Sequence, residues 1–179
     1  MPRLPTLLTT LFALSVILTP VLAVGLEPGF YKITHTTIDN KTVFLDSEYG
    51  DGEGIQLNLP RTEKNNGQLW FMDWLNDRVS LENVKHQCGF QAHDATSVAP
   101  TIICGHHQEI DLLVADSGKA NTWNVVFPDI RLMSIMASNC LNINNPEKPC
   151  NNVTLTTRQV RPERELEFTF IRQPDPEGW

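Results

Sequence analysis

The stretch that decides the fold runs from residue 44 to residue 70. It reads Phe44-Leu45-Asp46-Ser47-Glu48-Tyr49-Gly50-Asp51-Gly52-Glu53-Gly54-Ile55-Gln56-Leu57-Asn58-Leu59, then a polar loop, then Gly67-Gln68-Leu69-Trp70. Two short apolar runs flank a turn rich in Gly and Asp, the chemistry of a tight reversal between strands. A third run opens at Gln68. Weaker echoes follow as Asn121-Thr122-Trp123 and Leu166-Glu167-Phe168, an aromatic-closed motif roughly every 50 residues. Self-similarity at that period marks a repeat architecture.

Outward from this stretch the chain reads as short strands. The first unit places them at Gly29–Thr36, Thr42–Asp46, Ile55–Leu59 and Gln68–Trp74, with a charged loop at Arg61–Gly67. The second unit gives Arg78–Glu82, Gln87–Gln91, Thr101–Cys104 and Thr122–Phe127. Between the last two lies an apolar run, Ile110–Ala115, which a four-strand unit does not need; it reads as an inserted strand or a short helix. The third unit gives Arg131–Met136, Cys140–Ile143, Asn152–Thr156 and Leu166–Ile171. No segment sustains an i, i+3, i+4, i+7 apolar pattern over a helical length. The expectation is an all-β body spanning 24–172, with repeats at about 29–76, 77–128 and 129–172 and a frayed tail at 173–179. One four-strand unit alone exposes its edges and an apolar face. Three units closing around a pseudo-threefold axis bury both.

The first 23 residues stand apart. Arg3 is a small basic start, Leu7–Leu18 an apolar core, and Val21-Leu22-Ala23 a small-residue site for cleavage ahead of Val24. That layout is a secretory signal peptide. A membrane anchor needs about 20 unbroken apolar residues, and Pro20 and the Thr residues intrude. The expectation is a secreted, extracellular protein with no membrane insertion. With Arg3 removed, 14 basic residues become 13 against 21 acidic, a net charge of −8. No basic stripe suits nucleic acid, and the charge disfavours anionic membranes.

Four cysteines, Cys88, Cys104, Cys140 and Cys150, form an even set in an exported chain and predict two structural disulfides. Three connectivities are possible. The repeat reading selects Cys88–Cys104 and Cys140–Cys150, one within each of the last two units, each contributing about 3 kcal/mol. Two sequons, Asn40-Lys41-Thr42 and Asn152-Val153-Thr154, make Asn40 and Asn152 N-glycosylation candidates and place them at the surface.

These residues together resemble the ricin-type β-trefoil lectins. The family pattern is an opening aromatic strand, a strand ending in Asp, a Gly-rich turn, an Ile-Gln-Leu strand and a Gln-x-Trp strand. Here it reads Gly29-Phe30-Tyr31, Leu45-Asp46, Asp51-Gly52-Glu53-Gly54, Ile55-Gln56-Leu57 and Gln68-Leu69-Trp70. The second unit keeps Cys88, Ile102-Ile103 and Thr122-Trp123. The third keeps Cys140-Leu141-Asn142 and Val153-Thr154-Leu155. The resemblance implies a β-trefoil of three four-stranded repeats that binds a glycan or glycoprotein. In such a lectin an Asp accepts from vicinal sugar hydroxyls, a ring stacks on the sugar, and an Asn and the Gln of Gln-x-Trp add hydrogen bonds.

Carried over by position, the carbohydrate site is Asp46, Asn58 and Gln68. Asn58 stands where the ring belongs and cannot stack; Tyr49 offers a ring from another direction. Gly67 stands at the family's Asn position. The Asp position falls on Phe90 in the second unit and on Asn142 in the third, whose aromatic position is Thr156.

Other chemistries read less well. Asp46, Glu48, Asp51 and Glu53 lack the regular spacing and following bidentate Glu of a calcium loop. Cys88, His93, Cys104 and His106 match no zinc-finger spacing, and an oxidising compartment favours disulfides. No metal or cofactor is expected. There is no Gly-x-Ser-x-Gly elbow and no His-Glu-x-x-His, so the expectation is not an enzyme. Glu48 and Asp51 would need a cleft between them for glycoside hydrolysis, which a compact trefoil lacks. The alternative of a different class is a β-trefoil protease inhibitor. It would act through a protruding loop, either Arg61–Asn66 with Arg61 and Lys64 or the longer loops of the second unit.

Overall fold

The structure, a computed structural model, describes residues 25–37, 40–62, 67–75, 78–93, 101–106, 112–127, 133–137, 153–157 and 167–177. The expected leader, Lys64, Cys140–Ile143, Cys150, Asn152 and the end of the tail lie outside these residues.

Twelve strands follow one another, and among the described residues they are the only regular elements. The first four are β1 (Gly29–Thr36), β2 (Thr42–Asp46), β3 (Gln56–Asn58) and β4 (Trp70–Leu75). The next four are β5 (Arg78–Asn83), β6 (Cys88–His93), β7 (Thr101–Gly105) and β8 (Leu113–Asp116). The last four are β9 (Thr122–Phe127), β10 (Met133–Ala137), β11 (Val153–Thr157) and β12 (Phe168–Gln173). Alternation is clear where one face meets the core: in β5, Val79, Leu81 and Asn83 are buried and their neighbours are not.

Six strands close into a barrel. β4 pairs with both β1 and β5, β9 with both β8 and β12, and β12 returns to β1. The remaining seam, β5 to β8, is made by Val79 and Leu112, which exchange backbone hydrogen bonds of 2.7 and 2.9 Å. Closure leaves the barrel no free edge. The other six strands form three hairpins, β2–β3, β6–β7 and β10–β11, each hung from the first strand of its unit. The fold is a β-trefoil.

The hydrogen-bond register makes the threefold relation explicit. Tyr31 faces Trp70, Val79 faces Leu112 and Trp123 faces Phe168. These pairs are equivalent, as are Ile33, Leu81 and Val125 two residues on. Those three close on Leu45, Phe90 and Phe168 in the centre of the core. Trp70 meets Phe90 edge-on at 4.9 Å and Trp123 meets Phe170 at 5.7 Å, the offset geometry aromatic rings prefer.

This register corrects the boundary between the second and third units. Thr122–Phe127, expected to close the second unit, pairs with β10 and β12 and opens the third. The fourth strand of the second unit is β8, in the run Ile110–Ala115 that had no place in the expected scheme. The second repeat therefore ends near 116, and the third begins near 122. Trp123 matches Tyr31, and Leu112 is the true counterpart of Trp70. The Asn121-Thr122-Trp123 motif mimics Gln68-Leu69-Trp70 in sequence, while the plain apolar Leu112 carries the role.

Candidate functional site

The site is built at the open end of the first unit. The turn from Ser47 to Gly54 reverses the chain through Gly50 and Gly52, whose φ values of 88° and 79° favour glycine. A Cβ at Gly50 would also press on the ring of His86. That ring donates from Nε2 to the Glu48 carbonyl at 3.2 Å. The far side of the turn rests on β7, through Gly52 N to Cys104 O at 2.7 Å, Cys104 N to Glu53 O at 2.9 Å, and Ile55 N to Ile102 O at 2.9 Å. The second unit therefore holds the rim of the first.

Asp46 ends β2, with Gln56 opposite it and Asn58 diagonal on the same face. Its carboxylate is wholly buried. Three donors converge on Oδ2: Asn58 Nδ2 at 3.1 Å, Gln68 Nε2 at 3.2 Å and Arg61 Nε at 2.9 Å. Gln68 is saturated in turn, giving its second N–H to Leu59 O at 2.8 Å and accepting from Arg61 N at 3.0 Å. The sequence-predicted trio, Asp46, Asn58 and Gln68, is thus brought together, but inside the protein: 0%, 7% and 0% exposed. Buried carboxylates need a cation or many donors, and Arg61 supplies the cation.

Arg61 is what the sequence reading placed elsewhere. It was an inhibitor-loop candidate; its side chain instead lies back on Asp46, and its Nη2 reaches Glu48 Oε2 at 2.7 Å. No local sequence signal marks it, because its role follows from the burial of Asp46, which only the fold shows. Asn83 was missed too. Buried in β5, it donates from Nδ2 to Gly67 O at 2.8 Å, and the Ser47 N–H donates to the same carbonyl at 2.9 Å. Gly67 is consequently pressed so tightly that a Cβ there would sit 2.2 Å from Ser47 O and 2.6 Å from Asp46 Oδ1. An Asn side chain at this position would collide with the Ser47 carbonyl and the Asp46 carboxylate.

Asp46 Oδ1 has no hydrogen-bond partner among the described residues, although it is buried. An unsatisfied buried acceptor costs about 1–3 kcal/mol. Arg61 pairs with Glu48 on the following turn, where Tyr49 is 64% exposed.

The other units do not repeat this chemistry. By register the counterpart of Asp46 is Gln91, not Phe90, which instead matches core Leu45. In the third unit the position is Met136; Asn142 lies outside the described residues. Asn58 corresponds to Gly105 and to Thr156. Cys88 and Cys104 form the expected disulfide across β6 and β7, Cα atoms 5.3 Å apart, and are not available as zinc ligands. Cys140 and Cys150 lie outside the described residues. Asn40 sits exposed at the β1–β2 turn with φ 62°.

No protein-family model matches the chain, and no curated protein matches it. Solved structures do. A ricin B-like lectin of Macrolepiota procera in complex with lactose superposes with a TM-score of 0.64 at 14% identity, over 83% of this chain and 99% of that one. The agglutinin of Rhizoctonia solani gives 0.61 at 14%, over 84% and 99%. A proteinase inhibitor of Coprinopsis cinerea gives 0.58 at 14%, over 83% and 99%. The chain shares their fold.

Proposed function

We propose that this is a secreted, non-catalytic carbohydrate-binding protein whose recognition surface is the mouth of the first unit. The observation that carries the reading is the convergence of Asn58, Gln68 and Arg61 on one oxygen of Asp46, with the other oxygen left without a donor. Sugar hydroxyls are donors of the kind that oxygen lacks. Tyr49, exposed on the adjoining turn, offers a ring to the apolar face of a pyranose. Glu48, Asp51 and Glu53 make the rim acidic, which favours neutral over anionic glycans. Two of the structural neighbours are named as a lectin and an agglutinin, in keeping with this reading.

A glycan array on the mature protein tests it. Binding to neutral glycans is expected, and Asp46→Ala and Gln68→Ala should abolish it; binding that survives both places the site elsewhere. The secretory part is tested by N-terminal sequencing after expression in a eukaryotic secretory host. A start at Val24 and an endoglycosidase-sensitive mass shift removed by Asn40→Gln with Asn152→Gln are expected.

The inhibitor reading has the Coprinopsis neighbour in its favour. Arg61, tied to two carboxylates, does not project as an inhibitory side chain would, so this reading passes to the loops of the second unit. Assays against trypsin-like and papain-like proteases decide it, and absence of inhibition at micromolar protein removes it.

A further inference from the structure

We propose that Arg61 is a latch on the first-unit site, closed in this structure, which must leave Asp46 before a sugar can reach it. The inference rests on the carbohydrate reading above and adds how that site is regulated. Of the three side chains that donate to Asp46 Oδ2, Gln68 and Asn58 are buried, whereas the Arg61 side chain is 29% exposed. Arg61 is therefore the outermost of the three donors. A ligand approaching from outside meets it first. Asp46, with no exposed surface, cannot be touched while it is in place.

The open state has a resting place already built. Arg61 Nη2 is paired with Glu48, whose side chain is 30% exposed and stands on the Gly-rich turn beside Tyr49. Breaking only the inner contact, Nε to Asp46, leaves Arg61 tethered to Glu48. Its charge stays compensated, and Asp46 Oδ2 loses its outermost donor. The anchor points do not have to move. The Arg61 backbone N–H is fixed by Gln68 Oε1, and the turn bearing Glu48 is fixed by His86 and β7. Only the side chain swings, which makes a two-position element rather than a loop rearrangement.

A latch taxes affinity. If the open form is a minor fraction, the apparent dissociation constant is the intrinsic one divided by that fraction. A hydrogen bond to a charged group of this kind holds the closed form by a factor on the order of ten or more. Removing the guanidinium should therefore strengthen sugar binding, the reverse of what a contact residue would do.

The experiment compares wild type, Arg61→Ala, Arg61→Gln and Asp46→Ala. One arm is an array of neutral oligosaccharides including lactose, with titration calorimetry on the strongest binder. The other needs no sugar: the rate at which phenylglyoxal modifies Arg61, read by peptide mass spectrometry. Both Arg61 variants should bind the same glycans about tenfold tighter or more than wild type. Arg61 should be modified several-fold faster in Asp46→Ala than in wild type. Arg61→Gln keeps a polar side chain but removes the charge, so the test survives if Arg61→Ala folds poorly. Equal or weaker binding by both variants, where wild type binds through Asp46, overturns the latch and leaves the carbohydrate reading standing. An unchanged labelling rate overturns the latch with no reference to any sugar. An array blank for wild type and both Arg61 variants overturns the carbohydrate reading itself, even where the labelling shows Arg61 held.

Discussion

At the mouth of the first unit, β2 and β3 are tied to the chain behind them by a buried carboxylate and the donors around it. At the corresponding place in the second unit, β6 and β7 are tied by the Cys88–Cys104 disulfide, and Gln91 takes the position of Asp46. Both arrangements hold a hairpin over the same barrel. The second shows that the fold does not require a buried charge there. A buried ion pair is weak evidence for stability, because desolvation offsets much of its attraction. The network around Asp46, with one oxygen unsatisfied, is thus not a requirement of the fold, which is the ground for the binding role proposed above.

The largest effect should come from the closest approach in the first unit. Gly67→Ala pushes a Cβ into Ser47 O and Asp46 Oδ1, and should cost about 3 kcal/mol or more in urea unfolding. Gly89, at the start of the second unit's hairpin, has 3.5 Å to its nearest neighbour, and alanine there should be tolerated. A mild Gly67→Ala would mean that the first mouth is looser than its backbone contacts require.

Next comes the covalent side of the comparison. The double substitution Cys88→Ala with Cys104→Ala should lower stability by about 3 kcal/mol, measured by the same unfolding curves. Because β7 supports the Ser47–Gly54 turn, hydrogen exchange at Gly52 should also quicken. Protection unchanged at Gly52 would show the two units to be independent.

A double-mutant cycle isolates the polar side. Asp46→Ala and Arg61→Ala should each destabilise, and the pair together should cost less than the two separately, with a coupling of about 1–3 kcal/mol. Additive effects would remove the ion pair as a unit of this structure.

The smallest effect is a pH response confined to the first unit. Burial pushes the Tyr31 hydroxyl above its ordinary value, partly offset by Arg172. The folded state favours the neutral phenol. Its stability contribution is whole below the ordinary tyrosine range, about pH 10, and is lost as pH rises through the raised value. Tyr31→Phe should flatten that alkaline loss in thermal melts. The counterpart in the second unit, Val79, has nothing to titrate.

Much of this was legible in the chain. The Asp46 strand, the Gly-rich turn and the Gln68-Leu69-Trp70 strand lie close in sequence, and their alternation and turn chemistry are local signals. Asp46, Asn58 and Gln68 do meet, as their positions suggested. What misled was periodicity judged by aromatic residues. Trp123 fits the opening of a unit as well as its end, because the barrel takes Tyr31, Val79 or Trp123 at the one and Trp70, Leu112 or Phe168 at the other. Leu112 gave no sign of its part, since its partner Val79 is far away along the chain.

Sequence by itself settled that this chain forms short strands in related units and that one unit carries a concentrated polar motif, because strand period and turn residues are properties of neighbours. Tertiary structure alone decided which strand belongs to which unit, since register is set by hydrogen bonds between distant segments. It alone decided that Asp46 lies inside rather than at the surface, for a carboxylate's exposure depends on where a cation folds back upon it.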